Sequence, residues 1–207
     1  MKNKILILLL SMWWCAGHAQ PMLQAEFLAT LKARNTGVET IRCDFMQIKH
    51  NTMLAQNAES LGEFYFKRPG KLALLYDKPS GDRIVMGETD FLIIAGGSRS
   101  VVKIATNPLF LQLQQIFLAC FSGDIAALSS DGLFRCKKDR ERYIVEIAPQ
   151  SKRARRYISK IVLVFSAKDM LLDELRMEEA SGNFTRYHFT NKQTNLPVSD
   201  SCFDITR

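Results

Sequence analysis

From Ile41 onward, apolar residues fall at every second position: Ile41, Cys43 and Phe45, then Phe64 and Phe66, then Leu72, Leu74 and Tyr76, then Ile84 and Met86. A period of two places those side chains on one face of a strand, and a strand with one greasy face has to bury it against another layer. Turn residues separate the segments at Asn51-Thr52, Pro69-Gly70, Pro79-Ser80-Gly81, Gly87-Glu88 and Gly96-Gly97-Ser98, leaving no length for crossover helices. Strands joined so tightly pair antiparallel, as a meander. After Asp131-Gly132 the pattern resumes, with strands expected at 133–137, 142–148, 157–165, 171–178, 184–191 and 201–206 and turns at Lys168-Asp169 and Ser181-Gly182-Asn183. Roughly ten or eleven strands result.

Two helical patterns interrupt the series. From Met22 to Arg34, Leu23, Phe27, Leu28 and Leu31 recur at helical spacing until Asn35 and Gly37 stop them. From Pro108 to Phe121, Leu109, Leu113, Ile116, Phe117 and Cys120 share a face and Asn107 can cap the start. Phe110, Leu111, Leu118 and Phe121 make this second helix apolar over more of its circumference than one buried stripe requires. Such a helix suits a cover over an apolar cavity, or full burial in a packed core. The fold class is therefore mainly β (α+β): a single curved antiparallel sheet with helices on its concave face. No repeat or linker divides it, so one domain is expected.

The chain begins with Lys2 and Lys4, an apolar run Ile5–Trp14, and small residues at Gly17 and Ala19, the composition of a cleavable secretory signal. The run is about half the roughly 20 residues that a bilayer span needs. Residues 1–19 are expected to leave and 20–207 to remain. Cys15 follows Met12, Trp13 and Trp14 rather than the small residues of a lipobox, which argues against lipid anchoring. Loss of Lys2 and Lys4 takes the formal charge from +7 to +5, a balance that favours anionic surfaces, while export makes nucleic acid an unsuitable partner. Cys43, Cys120, Cys136 and Cys202 then stand in a compartment that permits disulfides, and their spacing leaves free thiols and disulfides equally open.

Catalytic and metal signatures are missing from the sequence. His50 and His188 are far apart, neither at ligand spacing to another donor, and G-x-S-x-G, H-E-x-x-H and phosphate-loop motifs do not occur. Glu178-Glu179 point to opposite faces of a strand, so they form no acid/base pair. The expectation is a non-enzyme without cofactor or metal. The basic run Lys152–Arg156 reads as a solvated loop or as a contact for acidic lipid head groups.

The stretch GEFYFKRPGKLALLYDKPSGDRIVMGETDFLIIAGGSRSVVKI, Gly62–Ile104, runs strand, Arg68-Pro69-Gly70 turn, strand, Pro79, hairpins. With FMQIKH (Phe45–His50) before it and SGNFTRYHFTNKQTN (Ser181–Asn195) and CFDI (Cys202–Ile205) after it, the chain resembles the outer-membrane lipoprotein carrier protein (LolA) family over most of its mature length. The resemblance implies an incomplete β-barrel whose apolar interior holds acyl chains beneath short helices. It implies that Arg68 is the latch that hydrogen-bonds the lid's backbone, a task suited to a rigid fork of five donors. The implied cavity wall is Phe45, Phe64, Phe66, Leu72, Leu74 and Met86 of the sheet with Leu113, Ile116 and Phe117 of the second helix. Leu72 and Leu74 depart from relatives, which carry an aromatic residue and a tryptophan there, so the wall stays apolar but loses ring surface.

The function so implied is that of a monomeric periplasmic carrier that shields the acyl chains of lipidated lipoproteins between inner and outer membrane. Its implied partners are an inner-membrane ABC-type lipoprotein-releasing complex that loads it and an outer-membrane acceptor that unloads it. The alternatives are a binding protein for another envelope lipid or glycolipid on the same scaffold, and a sensor of mislocalised lipoproteins. Such sensors usually append a further domain, for which an end at Arg207 leaves no room.

Overall fold

The computed structural model describes residues 19–53, 56–125, 132–149 and 154–206. Residues 1–18 of the expected signal segment 1–19, and the basic residues Lys152 and Arg153, lie outside them. Helix α1 (Ala19–Asn35) leads into β1 (Thr40–Asn51), β2 (Gln56–Lys67), β3 (Lys71–Lys78), β4 (Arg83–Met86), β5 (Asp90–Ala95) and β6 (Ser98–Lys103). Helix α2 (Pro108–Ser122) follows, then β7 (Gly132–Asp139), β8 (Arg142–Pro149), β9 (Lys160–Ser166), β10 (Leu172–Glu178) and β11 (Phe184–Thr194).

All eleven strands form one antiparallel sheet in the order β6-β5-β4-β3-β2-β1-β11-β10-β9-β8-β7. Two meanders meet where the last strand lies against the first, and the sheet stops at β6 and β7 without closing. The fold is thus an open barrel, mainly β. The connection between its two edge strands contains α2, so the chain has to carry a helix from one rim to the other.

Registration explains why the sequence periodicity adds up to a single apolar wall. Ile41 pairs with Phe66, Phe66 with Leu72, Leu72 with Met86, Met86 with Phe91 and Phe91 with Val102, one row of inward side chains across six strands. The next row in the same sense takes Cys43, Phe64, Leu74, Ile84 and Ile93. Both helices lie on this face. Phe27 of α1 meets Tyr143 and Phe165 at 5.1 and 5.5 Å between ring centroids, and Phe121 of α2 meets Phe64 at 4.6 Å and Phe66 at 5.6 Å. The resulting core contains more than thirty buried residues from both helices and most of the strands. Burial of this extent is the main stabilising term of the fold, at about 25 cal/mol per Å² of apolar surface removed from water.

Gly62 matters to the wall. Its register partners are Phe45 on β1 and Tyr76 on β3, and the ladder shifts between Leu61 and Gly62. A Cβ at Gly62 would lie 2.0 Å from the Leu75 carbonyl oxygen. Without one, the Phe45 and Tyr76 rings meet edge to face at 5.0 Å over the top of β2.

Two sequence expectations need correction. Residues 201–206 do not form a strand: Asp200–Phe203 is a 3-10 turn, capped by the Ser199 hydroxyl, which accepts from the Ser201 amide. Pro197 supplies no amide to a ladder, and Phe203 gains more by burying on the convex face against Ala73, Val85 and Leu92. The inward alternation of β3–β5 leaves those three residues on the outer side, so they need their own cover. Asp200 anchors that cover, accepting from Lys67 and Lys71 at 3.1 Å each. The strand expected at 157–165 begins only at Lys160, because Ala154–Arg156 is another 3-10 turn. The remaining elements match within a few residues at their ends.

Candidate functional site

Arg68 leaves the end of β2 toward the point where both helices finish. Its Nε donates to the Val38 carbonyl at 2.6 Å, and its Nη2 donates to the Asn35 carbonyl at 2.8 Å and to the Ser122 carbonyl at 3.4 Å. Asn35 is the last residue of α1 and Ser122 the last of α2. The final carbonyls of a helix have no partner within it and carry the negative end of its dipole. One guanidinium therefore serves two helix C-termini at once, through hydrogen bonds and through charge.

The same corner is tied by two further contacts. The buried Asn35 side chain donates from Nδ2 to the Leu31 carbonyl at 3.0 Å and to the Met170 carbonyl at 3.2 Å, joining α1 to the β9–β10 turn. Gly123 ends α2 at φ +81°, with its amide donating to Ala119 at 3.1 Å. A Cβ there would stand 2.9 Å from both the Asn35 Cβ and the Leu31 carbonyl oxygen, so only glycine lets the helices approach this closely.

Beyond that corner α2 lies along the wall. Phe121 contacts Phe64, Phe66 and Phe189, Phe110 meets Phe91 at 4.7 Å, and Gln114 donates from Nε2 to the Gly87 carbonyl at 3.1 Å. Phe45, Phe64, Phe66, Leu72, Leu74 and Met86 are all buried on the concave face. Ile116 and Phe117 are buried on α2, and Leu113 is half-buried against the same cluster. All nine expected wall residues thus meet in a single apolar body, packed on one another and on the helices. Leu109 belongs to α2, but its side chain lies outside the description. Cys43, Cys120, Cys136 and Cys202 are free thiols, the first three buried and Cys202 partly exposed. Burial pushes the Cys43 thiol up to about 12 and Cys136 up to about 11.

One inward cluster is polar, and periodicity alone did not single it out. Gln47 donates from Nε2 to the Tyr187 hydroxyl, and the Tyr76 hydroxyl donates to Gln47 Oε1 at 3.3 Å. Gln47 is 2 % exposed, Tyr187 5 % and Tyr76 9 %. The signal was present: Gln47 stands in phase with Ile41, Cys43 and Phe45, a polar residue at an inward position. Further along that face, Lys49, Ala58 and Thr185 line an open cavity of about 370 Å³ at the end of the half-barrel away from Arg68. His50 and Phe184, stacked at 4.9 Å, bound it on the other side. Among the described residues no helix is long and apolar enough to cross a membrane.

Comparison with solved structures finds the same architecture in distant proteins. A DUF1329 family protein from Desulfovibrio piger superposes with a TM-score of 0.53 at 13% identity, covering 88% of this chain and 97% of that one. MucB in the Pseudomonas aeruginosa MucA/MucB complex gives 0.51 at 14% identity over 86% of this chain and 59% of its own. An uncharacterized conserved protein from Thermus thermophilus gives 0.51 at 8% identity over 89% and 93%. At such identities the likeness is one of fold. No curated protein matches the sequence significantly. The family model described as "Outer membrane lipoprotein carrier protein LolA" matches residues 36–206, from the end of α1 through the C-terminal cover, and the chain therefore belongs to the LolA family.

Proposed function

We propose that this protein is a periplasmic carrier that shields the acyl chains of lipoproteins between its concave wall and α2, shuttling them from the inner to the outer membrane without catalysing a reaction. The observation that carries the reading is the attachment of α2: an apolar helix in the connection between the two edge strands, laid over an aromatic and aliphatic wall and pinned at its C-terminus by Arg68. A cover that lifts and returns needs a holdfast of this kind at one end.

Each methylene of an acyl chain transferred from water gains about 0.8 kcal/mol, so one long chain represents on the order of 12 kcal/mol. A wall of Phe64, Phe66, Leu72, Leu74 and Met86 can supply this without polar groups that demand one orientation. Arg68 is the latch in this reading, released as the guest takes the place of Phe121 and returned as it leaves. Loading falls to an ABC-type complex in the inner membrane and unloading to an outer-membrane acceptor. The test is mass spectrometry of material copurified with the protein from its native envelope. Acylated lipoprotein is expected; recovery of only a phospholipid or glycolipid would move the reading to a lipid carrier on this scaffold, and recovery of no lipid would refute it.

A further inference from the structure

Between the aromatic rows of Phe64 and Phe66 and the open end of the half-barrel, the concave face turns polar at Gln47, Tyr76 and Tyr187. Burying an amide and two phenols costs free energy that hydrogen bonds at best offset, and three apolar residues of like size would fill the space more simply. The three residues also come from strands that are not all neighbours: β1, β3 and β11. They meet because Gly62 leaves β2 without a side chain between Tyr76 and the β1 face. Phe45 packs beneath both phenols, at 5.0 Å from Tyr76 and 6.1 Å from Tyr187, and so sets the cluster at the boundary of the aromatic wall.

The cluster leaves one of its own N–H groups without an internal acceptor. Gln47 uses one N–H on Tyr187 and one lone pair on Tyr76, and the two phenols also bond to each other, so the donor left over is the second Gln47 N–H. Burial raises both phenols above their ordinary range, so each keeps its proton as a donor. The unspent N–H of Gln47 is neutral and suits a neutral acceptor, and the bonds that join the three side chains involve no charged group. The next inward position on β1 is Lys49, exposed at the mouth of the 370 Å³ cavity. Polarity thus rises along the strands from Phe64 and Phe66, through the Gln47 cluster, to an open end where Lys49 and Glu179 both line the cavity.

We propose that Gln47, Tyr76 and Tyr187 form a carbonyl-reading site for the ester group of an acyl ligand, and that this site sets its direction, with hydrocarbon beneath α2 and the polar head toward Lys49. The site rests on the carrier reading and deepens it, since it selects acyl esters over hydrocarbon of equal length. A cluster that only held strand register would show no such preference.

The experiment compares ester-linked lipids with ether-linked analogues, which keep the chains and lack the carbonyl. Two pairs are used, a two-chain lipopeptide and a phospholipid, each in both linkages, with affinities measured for the wild-type protein, Tyr187→Phe and Gln47→Leu. The wild type is expected to favour the ester over the ether by roughly two- to tenfold, the effect of one hydrogen bond, and both variants to bring that ratio toward one. Tyr187→Phe preserves the ring and its packing, so it reports even if Gln47→Leu folds poorly. A preference confined to the lipopeptide pair identifies the ester of a lipoprotein as the ligand, and one confined to the phospholipid pair a membrane lipid. Equal ester and ether affinity in the wild type, or a preference that survives in Tyr187→Phe, overturns the site while leaving the carrier reading intact. Failure of the wild type to bind any of the four lipids would instead bring down the carrier reading itself.

Discussion

Replacing Arg68 with leucine removes all three hydrogen bonds of the guanidinium and the positive charge at two helix ends. The bonds to Val38 and Asn35 are short, whereas that to Ser122, at 3.4 Å, is near the limit of the interaction. A charged donor contributes about 1.5–3 kcal/mol per bond in favourable geometry, but this side chain is only part-buried, so a total of about 2–4 kcal/mol is reasonable. For a chain of this size that lowers Tm by roughly 5–15 °C. The share that falls on α2 alone is the weak Ser122 bond plus the dipole interaction, about 1 kcal/mol, which multiplies the population of an undocked α2 about fivefold. Amide hydrogen exchange separates the two effects. In Arg68→Leu, amides of 113–123 are expected to exchange about fivefold faster under native conditions while those of β1, β2 and β11 change only with global stability. Release of a bound fluorescent acyl probe is expected to slow, because closure no longer helps to expel it. Exchange over α2 that accelerates no more than that of the central strands, together with an unchanged release rate, would refute the latch.

Phe121→Ala removes a ring that contacts Phe64, Phe66 and Phe189 and is expected to cost about 3–5 kcal/mol, read from the urea midpoint; a loss under about 1 kcal/mol would show that α2 is only loosely seated. Gly123→Ala meets both a left-handed backbone and contacts at 2.9 Å, so a destabilisation of more than about 1 kcal/mol is expected by the same assay, with neutrality counting against the close approach of the helix ends. Native-state alkylation at about pH 8 is expected to label Cys202 well before Cys43 or Cys136, whose thiolates burial suppresses, and equal rates would contradict the placement of those two. Lys67 and Lys71 hold the Asp200 carboxyl below its usual range, so its contribution is present above the unfolded pKa of about 4 and is lost as pH falls through the lower folded value. Being exposed, that contact is weak, and limited proteolysis near 197–206 at about pH 3 against about pH 6 is the measurement that shows whether the C-terminal cover loosens.

Much of the architecture was legible because period-2 alternation and turn chemistry are local. Ile41, Cys43 and Phe45 announce an inward face whatever they pair with, and Pro69-Gly70 or Gly96-Gly97 leave few ways to connect the strands. The pairing of β11 with β1 was not legible, since it joins residues some 150 positions apart and has no local signature. Neither was the fate of 200–206. Its apolar residues read as a strand, but their use depends on a patch of Ala73, Val85 and Leu92 that exists only once β3, β4 and β5 are side by side. The donor set of Arg68 could be expected to meet backbone carbonyls only through the family resemblance. That those carbonyls belong to two helices, and include the end of α1, follows from a corner that Gly123 and Asn35 build in three dimensions. Gln47 was missed for a different reason: a pattern search rewards apolar residues at inward positions and passes over the polar one among them.

On the carrier reading, α2 is best regarded as an intramolecular competitor for the wall. Phe121 and Phe117 occupy space that a hydrocarbon chain would otherwise take, so the net affinity for a guest is the difference between two similar burials rather than the whole of either. This removes a difficulty in any shuttle of lipid anchors, because about 12 kcal/mol of gross stabilisation per chain would make release too slow to be useful. Leucine at 72 and 74 acts in the same direction as α2, since aliphatic wall positions give an aromatic lid less specific ring contact and let lid and guest exchange at little cost. Strengthening the lid should therefore weaken binding as surely as eroding the wall. Gln114→Leu, which adds apolar surface to α2 but removes its hydrogen bonds to the Gly87 and Glu88 carbonyls, separates hydrophobic seating from that tether: if seating dominates, acyl-probe affinity falls and Tm rises, whereas the opposite pair of changes would mean that the tether, not the apolar face, holds α2 down.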